Sequence, residues 1–107
     1  MSTAIIKPGA CGMETKVIVS TKDKGALDIN IETNCAHIKK MEEGLKEKEL
    51  DGITESFAKF SSSSIYQLAD KHCRHLACPV PCGIIKAIEV ESGMALPKEV
   101  EITISKE

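Results

Sequence analysis

Leu27, Ile29 and Ile31 alternate with Asp28, Asn30 and Glu32, and this strict two-residue period demands a strand with one buried face and one wet face. Two neighbours precede it. Thr3 to Lys7 can form a short first strand, stopped by Pro8-Gly9. Met13 to Ser20 follows, with Val17 and Val19 on one side and Lys16 and Ser20 on the other. Lys22-Asp23-Lys24-Gly25 supplies hairpin-turn residues ahead of the third strand. The three segments read as an antiparallel meander.

The period then lengthens. Ile38, Met41 and Leu45 fall at helical spacing behind Asn34, a suitable N-cap. Asp51 caps a second short helix presenting Ile53, Phe57 and Phe60. After the serine run Ser61 to Ser64, Ser64 and Gln67 form a capping box, and Ile65, Leu68, Ala69, His72 and Leu76 make one stripe. Pro79 disfavours helix at Cys78, and Pro81 fits the first position of a last helix that buries Ile84, Ile85 and Ile88. Gly93 stops that helix, with Pro97 beyond. Val100, Ile102 and Ile104 alternate with Glu99, Glu101 and Thr103, which predicts a closing strand. The expected order is βββααααβ: an α+β fold, one domain over residues 1–107, with three to four helices on the sheet.

Only three residues are aromatic, so the core must be aliphatic. Net charge is −2 with both signs interspersed, and no basic stripe with aromatics points to nucleic acid. The mixed-charge run Lys39 to Glu49 is the wet face of a helix. No apolar run approaches the ~20 residues needed to cross a bilayer. Met1 to Ala4 lacks the features of a signal peptide, so a cytoplasmic setting is expected. Catalytic signatures are missing too: no Gly-x-Ser-x-Gly, phosphate loop or dinucleotide fingerprint, so an enzymatic role is not indicated.

Five cysteines remain: Cys11, Cys35, Cys73, Cys78 and Cys82. An odd number in an unexported chain argues against a disulfide framework. Cys11 lies in the loop Gly9-Ala10-Cys11-Gly12, whose glycines permit close backbone approach to a ligand. Cys35 follows the expected N-cap of the first helix, Cys78 precedes the last helix, and Cys82 occupies its first turn. The positive end of a helix favours thiolate, which is both nucleophile and soft metal ligand. Cys73, flanking an apolar stripe, reads as a packed core thiol. Among the histidines, His72 reads as a core residue and His37 as exposed. His75, three residues before Cys78, is the better ligand candidate. No Cys-x-x-Cys pair signals a zinc ribbon.

With these positions fixed, residues 9–90 resemble the N-terminal NifU/IscU-type iron–sulfur scaffold. Ala10-Cys11-Gly12 resembles its Cys-Gly loop, Lys22 to Gly25 its hairpin turn, Asn34-Cys35 its second cysteine, and Cys78 ahead of Ile84 to Val90 its third. Met13 stands where the family has Asp, and Ala77 where it has His. The resemblance implies a NifU-like fold that holds an iron–sulfur cluster or zinc. Cys11, Cys35 and Cys78 would be its thiolate ligands, with Cys82 or His75 as the fourth. It also implies a cysteine desulfurase or an acceptor protein as partner. Separately, Cys78-Pro79-Val80-Pro81 is similar to the Cys-Pro-x-Pro motif of TusA-like sulfur carriers, which would make Cys78 a persulfide carrier. The whole chain also looks like a family of small uncharacterised proteins from anaerobic microbes, which implies no activity. A non-catalytic binding module with packed cysteines is the third reading.

Overall fold

The computed structural model describes residues 1–107 and shows an α+β arrangement: a three-stranded antiparallel sheet with four helices. The strands are β1 (Ser2–Ile6), β2 (Thr15–Thr21) and β3 (Leu27–Glu32), in sheet order β1-β2-β3. The expected meander is present, with Ala4 opposite Val17 and Val19 opposite Ile29. The turn between β2 and β3 needs two consecutive left-handed residues, Lys24 at φ +76° and Gly25 at φ +86°. Glycine adopts that conformation freely and lysine does so at a cost.

Alternation does the sorting of faces. Val17, Val19, Leu27, Ile29 and Ile31 point to the buried side, where each fully buried aliphatic side chain contributes about 1.5–3 kcal/mol. The helices α1 (Ala36–Lys46), α2 (Gly52–Ser56), α3 (Ser64–His72) and α4 (Val80–Glu91) accompany the sheet. Ile38, Met41 and Leu45 of α1, Ile65, Leu68 and Ala69 of α3, and Ile84 and Ile88 of α4 join the same core. Met41 meets Cys73 at one level, and a Cβ on Gly44 would meet Leu68 at another. The pairing of rising with falling numbers makes α1 and α3 antiparallel. No helix is long and apolar enough to cross a membrane.

Helix ends depart from the expected positions in small, explicable ways. Cys35, not Asn34, is the N-cap of α1, and its N–H donates to Thr33 Oγ1 at 3.1 Å. Asp51 caps α2 as expected, accepting from Thr54 N at 2.9 Å. Ile53, Phe57 and Phe60 nevertheless stay exposed, because α2 runs only five residues. The cap of α3 is Ser63, which accepts from the Tyr66 N–H. Ser64 is instead held by the buried carboxylate of Glu55, which accepts from its N–H at 3.1 Å and its hydroxyl at 3.0 Å. α3 stops at His72, so Leu76 leaves the stripe and is fully exposed. Pro81 takes the second rather than the first position of α4, and Ile85 is only half-buried.

α4 closes as its sequence requires. Gly93 at φ +75° donates to the Val90 carbonyl and Met94 donates to that of Glu89, the paired bonds of a Schellman motif. The expected closing strand does not form. Chain beyond Glu91 enters no helix or strand, and Val100, Ile102 and Ile104 are exposed. The alternating pattern specifies a strand only where an edge is offered to pair with it, and within this molecule the tail pairs with none.

Candidate functional site

Antiparallel register gathers three chain turns at one end of the sheet. Ile6 pairs with Thr15, and Lys16 with Glu32, so β1 ends, β2 begins and β3 ends together. Thr15 and Thr33 share a hydroxyl hydrogen bond of 2.9 Å across that end. The helices register on the same end. α1 starts there after Thr33 and runs back along β3, where Glu42 accepts from the Ile31 N–H and Lys46 donates to Asn30 Oδ1. α3, being antiparallel to α1, finishes there. α4 starts there, so close to β1 that a Cβ on Gly83 would lie 2.6 Å from Ile6 Cγ1.

All five cysteines occupy the loops and helix termini at this end. Cys11 is exposed in the β1–β2 loop, flanked by Gly9 at φ +88° and Gly12 at φ +68°. Cys35 caps α1, Cys73 is the C-cap of α3, and Cys78 lies in the loop before α4. These three thiols are half-buried and pack against the core. Cys82 is exposed in the first turn of α4.

Cys35, Cys73 and Cys78 form the electrostatic centre of the site. Burial pushes the Cys73 thiol up to about 11, and the neighbouring Cys78 and Cys35 thiols add to the effect, each disfavouring a second negative charge. Cys73 donates its S–H to Met41 Sδ at 3.3 Å. Cys73 thus touches the Met41 thioether and feels the Cys35 and Cys78 thiols, without the three sulfurs converging on one point. Such a donor set is soft throughout.

The other expected ligands stand apart from this trio. Cys82 faces the opposite flank of α4, beside Tyr66, whose phenol is raised first by burial and then by the Cys82 thiol. A shallow groove of about 240 Å³ opens there between Phe60, Tyr66, Cys82 and Ile85. His75 is exposed, and its contribution to the loop is the carbonyl that accepts from Cys78 N at 3.1 Å. No three His, Cys, Asp or Glu side chains converge at metal-ligating distance, so the expected set Cys11, Cys35, Cys78, Cys82 and His75 is not assembled in this conformation. A cleft of about 340 Å³, rimmed by Lys22, Lys46 and Lys48, lies at the far end of the sheet.

Cys73 is the residue the sequence pattern concealed. Extending the apolar stripe to Leu76 put it inside a helix, whereas the helix ends one residue earlier. The informative signal was the four-residue gap between Cys73 and Cys78, short enough for a loop to return one thiol to the other.

Fold and site together define a small α+β domain with a thiol-bearing end. The chain belongs to the family of unknown function DUF6951, which matches residues 2–104. No curated protein and no solved structure matches it.

Proposed function

We propose that the domain binds a thiophilic metal centre, zinc or an iron–sulfur cluster, at its cysteine-bearing end. The observation that carries this reading is that Cys35, Cys73 and Cys78, from segments 38 residues apart in sequence (35 to 73), pack against one part of the core, with the first and last both acting on the Cys73 thiol. Soft thiolates suit zinc, Cu(I) and iron–sulfur clusters.

Loading requires rearrangement as well as deprotonation. Cys73 must lose its proton, which bound metal achieves by competing for the sulfur lone pair. The 73–79 loop is free of helix, so Cys73 and Cys78 sit at the two ends of an adaptable segment. Cys11, on its glycine-flanked loop at the same end, would supply the fourth sulfur. This assignment keeps Cys11, Cys35 and Cys78, as in the NifU-type scaffold that the sequence resembles. It adds Cys73 and gives no ligand role to Cys82 or His75.

The test is anaerobic purification followed by metal and sulfide analysis of the parent, Cys35→Ala, Cys73→Ala and Cys82→Ala chains. Metal should be lost in the first two variants and retained in Cys82→Ala. Equal occupancy in all of them defeats the proposal.

A further inference from the structure

The tail and the β1 edge present complementary, unused surfaces. All fifteen residues from Gly93 to Glu107 are exposed. Leu96, Ile102 and Ile104 are 77%, 74% and 88% exposed. A projecting run of alternating apolar residues is a strand lacking its neighbour. The family match extends to residue 104, the last apolar position of that run.

The sheet offers one open edge of matching length. On β3, Leu27 N donates to the Leu50 carbonyl and Ile31 N to the Glu42 carboxylate, so that edge is partly capped. β1 pairs only with β2, and its outer side has no backbone partner. Its five residues are one fewer than the six of the alternating segment Glu99 to Ile104. Along β1, Ser2, Ala4 and Ile6 are half-buried on the helix-covered side, while Thr3, Ile5 and Lys7 face water. A tail strand seated with Val100, Ile102 and Ile104 beside the first set extends the apolar face. It also sets Glu99 and Glu101 on the side of Lys7, with opposite charge.

We infer that this edge receives the C-terminal strand of a second copy of the chain, and that two molecules exchange tails about a two-fold axis. One feature of the molecule and one rule of symmetry favour a second copy over the tail's own sheet. Glu91 anchors the end of α4 to the start of β1 by accepting from the Ser2 and Thr21 hydroxyls at 2.9 and 3.1 Å, yet no backbone hydrogen bond joins the exposed tail to its own sheet. Exchange of identical strands about a two-fold axis closes after two copies, since each tail and each β1 edge is then used once.

The decisive experiment combines analytical ultracentrifugation with hydrogen exchange on the full chain, a 98–107 deletion and Ile102→Lys. The full chain should sediment at twice the monomer mass, with the amides of residues 99–104 protected. Deletion and Ile102→Lys should both give monomers that keep their circular dichroism spectrum, because the tail contributes nothing to the core. A monomeric full chain overturns the inference, whether its tail is unprotected or protected against its own sheet. A deletion variant that still dimerises overturns it as well. Metal content plays no part in this readout.

Discussion

Titrating the reactivity of Cys73 tests the thiol cluster without any metal. Burial first, and the Cys78 and Cys35 thiols next, raise Cys73 from an ordinary 9.0 to about 11. At pH 8 its thiolate fraction therefore falls about 100-fold below that of an ordinary thiol. The more basic sulfur recovers part of this, because a Brønsted slope of about 0.4–0.5 over two units makes the thiolate about 6–10-fold more nucleophilic. Alkylation of Cys73 in the folded protein should thus run roughly 10- to 15-fold slower than in the same chain unfolded by denaturant. Mass spectrometry of peptides after timed iodoacetamide quenches reads each cysteine separately. The folded rate should keep rising with pH past 9, where the unfolded reference levels off. The same shift has a consequence for stability. Since the folded state holds this proton more tightly, the stabilisation is complete below pH 9 and is lost as pH rises through about 11. Cys73 reacting as fast folded as unfolded would refute the gathering of the three thiols.

Further outcomes follow from single contacts. Glu55→Ala should destabilise the domain by about 1–3 kcal/mol, since the Ser64 N–H and hydroxyl lose a buried acceptor; urea unfolding measures it. Gly83→Leu should cost about 1–3 kcal/mol by forcing α4 off β1, where Ile6 leaves no room for a side chain, and should lower Tm by about 4–8 °C per kcal/mol. The N-terminal ammonium, then Ser2, hold the Glu91 carboxyl below the usual range. Its contribution is therefore present above that range and lost as pH falls through the lowered value. Acid unfolding of Glu91→Gln should begin from lower stability and show a shallower acid slope.

Much of this architecture is legible in the residues themselves. Strict alternation in β3 dictates which face is buried, and that face is the one covered by helices. Asp51 and Gly93 mark helix ends because their local chemistry needs no tertiary help. Two elements escape such reading. α3 ends at His72 although the apolar spacing continues to Leu76, because packing, which sequence periodicity does not report, runs out there. The tail carries a strand pattern, yet strand formation depends on pairing with an edge, and the tail pairs with none in its own molecule. The same distinction applies to the site. Cys11, Cys35 and Cys78 stand out by their turn and helix-start context. Cys73 stands out only once α1 and α3 are known to be antiparallel, because that brings it to Met41 and to its fellow thiols.

X-ray absorption at the metal edge of the anaerobically zinc-loaded protein measures the proposed centre most directly. A first shell of three or four sulfurs at about 2.3 Å, reduced in sulfur number by Cys73→Ala, is the expected result. A shell of nitrogen and oxygen alone, unchanged by that substitution, contradicts it.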